Sequence, residues 1–549
     1  MRILGVNAVF HDPAAAVVVD GRVVAAAEEE RFTRRKHGKP STAMAGWELP
    51  ERAIAWCLAE AGLRPEGLDA VTYSYDPARV VAERVGTEPG WEWLRTAYVE
   101  RAPRMLATAL PGLDPARVRY VSHHLAHAAS AALAAPEQDT AVLVADGRGE
   151  ADSHVSGLYR GGRFHPLART ELPSSLGLCY EDLTAHLGFD RGADAYKVMA
   201  LASYGRPVHA DALAGAIAHD GAGGFHTGPI DWSALAPPGN AAGPWGEAHA
   251  DLAASVQNRL ETVLLEAADW LHARTGTRQL ALAGGVALNC VANTVLHDRG
   301  PFDRVWVQPA AGDAGTALGG ALAVAAEDGD AIVPPRGYDL GRGFSDAQIE
   351  QALIDADIDY ERCTDIAAVA GRALAEDRIV AWFQGRAEFG PRALGRRSLL
   401  AHPGPAANLD RLNAVKGRES FRPVAPMVRA DRAAEIFLRG PAESPYMLFV
   451  HDVAPEWRER LAAVTHVDGT ARAQTVDPGA EPLVGRVIDE FARHTGIPVI
   501  VNTSLNTAGR PIVDSPRDAL ECFGSAPIDL LAIGPFAVWR HGAGQGEGR

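Results

Sequence analysis

The sequence predicts an α/β protein of two domains, the first of them internally duplicated. Three observations carry that prediction. A strand–loop–hairpin plan occurs twice, glycine turns join buried strands to helices, and a Pro/Gly-rich break interrupts the chain near residues 332–345.

The first copy of the plan is "ILGVN", the loop "AVFHDPA", and the hairpin "AAVVVDGRVVAAAEE" turning at Asp20-Gly21. The second is "AVLVAD", the loop "GRGEADS", and "HVSGLYRGGRFHPL" turning at Gly161-Gly162. Asn7 and Asp146 then end equivalent first strands. Between the copies, "RVRYVS" reads as a strand feeding a helix "HHLAHAASAALAA" that stops at Pro136. Further on, "QLALAGGVALNCVANTVL" and "VWVQPAAGDAGTALGGALAVAAE" each read strand, glycine turn, helix, an arrangement that brings backbone N–H groups close to an anion. Beyond the break come the helix "IAAVAGRALAEDR", the strand "IVAWFQG", an Arg-rich segment and "IPVIVNTSLN". The segment 206–250 has weak periodicity and reads as a long insertion with loops.

At 549 residues the chain is too long for one ordinary core. A net charge of −16 argues against a nucleic-acid partner. The five cysteines are scattered with no C-x-x-C pair, so neither a zinc ribbon nor a disulfide framework is expected. "MRILGVN" has no signal-peptide pattern and no apolar run is long enough for a bilayer, so the expectation is a reduced, cytoplasmic protein without a membrane partner.

"YVSHHLAHAAS" holds three histidines within five residues. His123 and His127, four apart, share one helical face, whereas His124 points about 100° away. The pattern H-H-L-A-H puts His124 where a zinc peptidase has glutamate, which disfavours that chemistry. A helical His pair alone is as often a packing feature as a ligand pair. Asp146 at a strand end and Asp313 in the turn "AGDAGT" offer further ligands, although each also suits a turn or N-cap. Such a His2Asp2 set suits iron(II), manganese or zinc. His11, in the first loop, is a candidate general base beside it.

The second half is basic in a different way. Arg386, Arg392, Arg396, Arg397, Lys416, Arg418, Arg422 and Arg472 sit in loop-like Gly/Pro contexts rather than at helical spacing. Guanidinium forks there suit a small dianion or a triphosphate, against the alternative of a solvated basic face.

"HDPAAAVVVDG", "EEERFTRRKH", "HHLAHAASA", "SLGLCYEDLTAHLGF", "YKVMALASYG", "AGGVALNCVAN", "DAGTALGGAL", "GRAEFGPRALGRRSLL", "KGRESFRPVAP", "HVDGTARAQTV" and "NTSLNTAGRPIV" occur in that order. Over nearly the whole chain this resembles the NodU/CmcH family of O-carbamoyltransferases. The resemblance implies an actin-like (ASKHA, Kae1-like) transfer domain over 1–335, a linker over 336–344, and a YrdC-like domain over 345–549. In such enzymes the second domain converts carbamoyl phosphate and Mg-ATP to carbamoyl-adenylate. The first transfers the carbamoyl group to a hydroxyl of a small molecule, a secondary metabolite or antibiotic. The residues implied are His11 as catalytic base and His123, His127, Asp146 and Asp313 as ligands of a divalent metal, iron(II). Lys36, Lys197, Gly285 and Asn289 would hold the adenylate, and Arg392, Lys416, Arg422, Arg472, Asn502 and Ser504 would bind carbamoyl phosphate and ATP. Ala200 departs from the Gly that relatives often carry in "KVMGLA". A threonylcarbamoyl-type transferase acting on tRNA is the alternative within the chemistry, and the acidic charge argues against it. An actin-like ATPase switch is the alternative outside it, and leaves the Arg-rich half unexplained.

Overall fold

The computed structural model describes residues 1–38, 48–81, 89–137, 139–240, 243–507 and 509–540. It divides into two units, Met1–Tyr338 and Asp339–Arg549, a break that lies within residues 336–344.

The first unit contains two five-stranded sheets built alike. One comprises β1 (Arg2–Asn7), β2 (Ala14–Val19), β3 (Arg22–Glu28), β4 (Ala70–Tyr73) and β5 (Val118–Tyr120), in the order β3-β2-β1-β4-β5. Next come β6 (Thr140–Ala145), β7 (Asp152–Arg160), β8 (Arg163–Glu171) and a two-stranded ribbon of β9 (Ile217–His219) and β10 (Phe225–Thr227). With β11 (Gln279–Ala283) and β12 (Arg304–Val307), the second sheet has the order β8-β7-β6-β11-β12. Directions match as well: β1 pairs antiparallel with β2 and parallel with β4, as β6 does with β7 and β11. Both hairpin turns fall where the sequence places them, with Asp20-Gly21 and Gly161-Gly162 all at positive φ, as a two-residue hairpin requires.

β6 and β11 are wholly buried, and beyond their first residues, Thr140 and Gln279, they are apolar, as strands covered on both faces should be. Helix Ala314–Glu327 packs against β1 and against helix His123–Ala132. Small residues permit this approach: a Cβ on Gly5 would lie 1.9 Å from the Ala317 carbonyl oxygen, and one on Gly319 would lie 1.8 Å from that of Ala126. Helix His123–Ala132 ends three residues earlier than the alanine run suggests. Among its described residues, segment 206–250 is largely irregular, apart from the ribbon, a short helix at Ala210–Leu213 and a 3-10 turn at Trp232–Ala234. Its last residues begin a 29-residue helix, Glu247–Thr275, closed by Gly276 at positive φ.

The second unit is a mixed sheet of β13 (Glu361–Arg362), β14 (Val380–Phe383), β15 (Arg397–Ala401), β16 (Ala425–Arg429), β19, β20, β21 and β22, with a separate ribbon of β17 (His451–Asp452) and β18 (Thr470–Ala471). Here β19 is Gln474–Val476, β20 Val499–Ser504, β21 Leu530–Ile533 and β22 Phe536–Trp539, and the order is β13-β22-β21-β14-β15-β20-β16-β19. Its core joins Trp382, Phe383, Phe491 and Phe536 with the aliphatic residues of β14, β20 and β21. Within "IPVIVNTSLN", Asn502–Ser504 belong to β20 itself, paired with β15 and β16. Polar residues persist there because the sheet interior supplies them with hydrogen-bond partners.

Candidate functional site

Helix His123–Ala132 directs His123 and His127 from one face, as their spacing requires. Asp146 stands immediately after β6, and Asp313 immediately before helix Ala314–Glu327. One ligand atom from each of these four residues lies within 4.8 Å of the other three, and all four residues are buried. Nε2 of His123 is 3.2 Å from Asp146 Oδ2 and 3.6 Å from Asp313 Oδ1; Nε2 of His127 is 3.7 and 3.6 Å from the same oxygens.

Surrounding contacts fix these groups. His123 Nδ1 faces the Ser74 carbonyl oxygen at 3.3 Å, which turns Nε2 toward the carboxylates. The His123 amide donates to Glu150 Oε1 at 2.8 Å, and Asp146 Oδ1 accepts from the Gly285 amide at 2.8 Å. Burial alone would raise Asp146, but the facing imidazoles outweigh it and hold the carboxylate well below its ordinary range. Asp313 is lowered for the same reason, against burial and chiefly by His123. Burial disfavours the charged form of His123, yet Asp313 and Asp146 raise it well above the usual histidine value. His124 is pushed far down by burial and by His123, and it stays neutral outside the cluster.

Both ring nitrogens of His127 are buried without a hydrogen-bond partner among the described residues. Two buried carboxylates facing two imidazoles, one of them without a hydrogen bond, fit a divalent cation by donor type and number. Among the described residues a further group, Asp12, Glu30 and His37, meets the same distance criterion, but it is half-exposed, and Asp12 Oδ1 and His37 Nδ1 already pair at 2.9 Å.

His11 is half-buried in the loop joining β1 to β2, and its amide donates to Asp313 Oδ2 at 3.1 Å. Lys36 lies 5.7 Å from the centre of the Tyr196 ring, while Lys197 pairs with Asp194 at 2.9 Å. Gly285 touches the cluster through Asp146. Asn289, in contrast, caps helix Cys290–Arg299 and exchanges amide hydrogen bonds with Gln257.

In the second unit, hydrogen bonds hold segments that carry several of the basic residues. Lys416 Nζ donates to Ser504 Oγ at 2.9 Å, and Asn413, on the helix leading into Lys416, donates to the Arg422 carbonyl at 3.1 Å. Asn502 donates to the Ala393 carbonyl, beside Arg392, at 3.0 Å and to Gln474 Oε1 at 2.7 Å. Arg472 lies two residues before Gln474, its Nε buried without a hydrogen-bond partner among the described residues.

Two family models match: "Carbamoyltransferase N-terminus" over residues 2–114, 106–227 and 237–322, and "Carbamoyltransferase C-terminus" over 371–540. The chain belongs to the carbamoyltransferase family. The carbamoyltransferase is 39% identical to nodulation protein NolNO of Sinorhizobium fredii, over 97% of this chain and 79% of that protein. It is 35% identical to the uncharacterized protein sll1178 of Synechocystis over 98% and 96%, and 39% identical to nodulation protein NolO of Bradyrhizobium diazoefficiens over 76% and 78%. Among solved structures, HypF of T. kodakarensis matches 61% of this chain and 48% of its own at 15% identity and a TM-score of 0.39. Component A of the Acidaminococcus fermentans (R)-2-hydroxyglutaryl-CoA dehydratase matches 60% and 98% at 14% and 0.34. Among the described residues of the carbamoyltransferase, no helix is long and apolar enough to cross a membrane.

Several residues that organise these sites were not singled out in the sequence. Glu388, buried in "GRAEFGPRAL", accepts the amides of Leu394, Arg396 and Arg397 on one oxygen at 2.7, 2.9 and 3.1 Å. Gln474 donates to the Leu394 carbonyl at 2.9 Å, so Glu388, Gln474 and Asn502 together hold the loop that carries Arg392. The sequence signal of the two that were missed, Glu388 and Gln474, is a carboxylate and an amide embedded in motifs whose charge is otherwise basic.

Proposed function

We propose that this carbamoyltransferase is an ATP-dependent O-carbamoyltransferase. The second unit, YrdC-like in this reading, would use Mg-ATP to convert carbamoyl phosphate to carbamoyl-adenylate, with inorganic phosphate leaving the carbamoyl group and pyrophosphate leaving ATP as the bond to its α-phosphorus forms. The first, actin-like and Kae1-like, would pass the carbamoyl group to a hydroxyl of a small-molecule acceptor, a secondary metabolite or antibiotic. The observation that carries the reading is the bond from the His11 amide to Asp313, which puts a titratable loop residue at the edge of a buried His2Asp2 cluster.

In the transfer step the acceptor oxygen bonds to the carbamoyl carbon, the bond from that carbon to the adenylate phosphate oxygen breaks, and AMP leaves with the electron pair. His11 takes the hydroxyl proton as general base. A divalent metal held by His123, His127, Asp146 and Asp313, iron(II) in this reading, supplies Lewis acidity toward phosphate or carbonyl oxygen when bound. Lys36, Lys197 and Gly285 supply cationic and amide donors for the adenylate, and Asn289 serves by fixing the helix start beside it. In activation, Arg392, Lys416, Arg422 and Arg472 offset charge on the phosphates, while Asn502 and Ser504 hold Arg392 and Lys416 in place.

Incubating the protein with carbamoyl phosphate and ATP should yield AMP and a carbamoylated hydroxyl compound; ADP as the sole nucleotide product would sink the reading. His11→Asn should abolish transfer and keep carbamoyl phosphate-dependent ATP–pyrophosphate exchange, whereas Arg472→Ala should abolish exchange. Loss of exchange in the first variant, or normal exchange in the second, would contradict the division of labour.

A further inference from the structure

We propose that Asn7 is a positioning residue, a clamp that sets His11 against the His2Asp2 cluster. The inference rests on His11 being the transfer base. Asn7 is the last residue of β1 and fully buried. Its Nδ2 donates to the carbonyls of both His11, at 2.8 Å, and Asp12, at 3.0 Å. Its Oδ1 accepts from Ser74 Oγ at 3.2 Å, at the end of the parallel neighbour β4. Ser74 Oγ in turn accepts from Thr316 Oγ1 at 2.8 Å, that hydroxyl lying 2.6 Å from the Asp313 carbonyl oxygen, and the Ser74 carbonyl is the one that faces His123 Nδ1. One buried polar chain therefore joins the loop bearing His11 to two members of the cluster.

The loop needs such a clamp. Phe10 and Asp12, on either side of His11, have φ of 56° and 46°, in the region that non-glycine residues rarely occupy. Phe10 is wedged between the Tyr75 and His123 rings, at centroid distances of 5.7 and 5.3 Å, with the Arg95 guanidinium 4.8 Å from its ring centre. Packing fixes Phe10, and the bidentate amide of Asn7 fixes the two residues that follow. The half-repeat sharpens the role. Asp146 also receives a hydrogen bond on Oδ1 from the end of a parallel neighbour, through Gly285, and turns Oδ2 to the histidines. Asn7 keeps the anchoring half of that arrangement and turns an N–H donor outward instead. An aspartate at residue 7 would face two carbonyl oxygens with a third.

Full-length Asn7→Ala, Asn7→Asp and Ser74→Ala variants test this, Ser74→Ala being the mildest. Three readouts apply: hydrogen–deuterium exchange of segment 7–14, cobalt(II) titration of the cluster, and carbamoyl phosphate-dependent AMP release with molar ethylene glycol as the probe acceptor. Segment 7–14 should exchange at least about tenfold faster in Asn7→Ala and faster still in Asn7→Asp, with segment 123–146 unchanged. Cobalt affinity should stay within about threefold, and AMP release should fall about 30-fold or more in the wild-type background but not further in His11→Asn. Retained protection of segment 7–14 in all three variants would overturn the clamp. So would a parallel fall in cobalt affinity, or an equal loss of AMP release in the His11→Asn background. If His11→Asn itself leaves AMP release intact, the transfer-base reading fails, and the exchange arm alone decides whether Asn7 holds the loop.

Discussion

The two halves of the first unit share strand order and direction yet end their first strands differently. After β6 comes Asp146, a buried carboxylate facing His123 and His127; β1 ends in Asn7, a neutral amide that donates to its own loop. Each half anchors that side chain to the end of its parallel neighbour, Gly285 in one and Ser74 in the other. At these two strand ends a carboxylate faces a pair of histidines in one half, and an amide holds its own loop in the other. The lesson is that equivalent backbone positions predict where function gathers, while the side chain decides which function it is.

The largest expected effect tests the carboxylate. Asp146→Asn keeps the shape and the Gly285 hydrogen bond but removes the charge facing the histidines. Cobalt(II) affinity should drop at least about 100-fold. An unchanged affinity in a cobalt titration would mean that the two strand ends do not differ in task.

Next in size is a difference between the two hairpin turns. Gly21 has a φ of 72°, and a Cβ there would lie 2.2 Å from the Ala331 carbonyl oxygen. Gly21→Ala combines left-handed strain with a clash against backbone that cannot swing aside, and should cost about 3 kcal/mol. Urea denaturation monitored by circular dichroism measures it; a cost below about 1 kcal/mol would show that the 331 segment yields.

The halves also differ in how they answer pH. His154, in β7 of the second half, is held by burial at a pKa of about 3. Its neighbours are Thr170 Oγ1 at 3.3 Å and the Phe225 ring. Between pH 6.5 and 3 the unfolded chain takes up a proton that the folded chain refuses, so stability falls as pH falls, by about 2 kcal/mol at pH 5. Glu29, in the first half, is pushed by burial up to about 7 despite accepting the Ala53 amide at 2.8 Å. There the folded chain keeps a proton that the unfolded chain loses, so its contribution falls as pH rises from 4.5 to 7. His154→Gln should flatten the acid side of a stability–pH curve and Glu29→Gln the side approaching neutrality. Identical curves for both variants and the wild type would remove this distinction between the halves.

Most of the architecture was legible because its signals are local. Apolar strand runs, Asp20-Gly21 and Gly161-Gly162 lie within a few residues of what they determine. His123 and His127 were legible through helical spacing, and Asp146 and Asp313 through their places at element ends. What the sequence hid depends on partners far along the chain. Ser74 meets Asn7 from 67 residues away and Thr316 meets Ser74 from 242 residues away, and no periodicity encodes such pairs. Asn502 is polar and yet lies inside β20, where a buried partner set at Ala393 and Gln474, distant in sequence, satisfies it.

The smallest expected effect completes the turn comparison. Gly162 occupies the second turn position, as Gly21 does, and its φ of 75° is nearly the same. Its surroundings are not: a Cβ there would meet the Ala326 methyl at 3.5 Å and the Ala326 carbonyl oxygen at 3.7 Å, both ordinary contacts. Backbone strain then acts alone in Gly162→Ala, partly offset by the lower entropy of the unfolded alanine chain, so the cost should be about 1 kcal/mol. Since φ is shared, the excess cost of Gly21→Ala over Gly162→Ala isolates what close approach of segment 331 demands of the first half. Equal costs in the same urea titration would assign both effects to the turn conformation and none to packing.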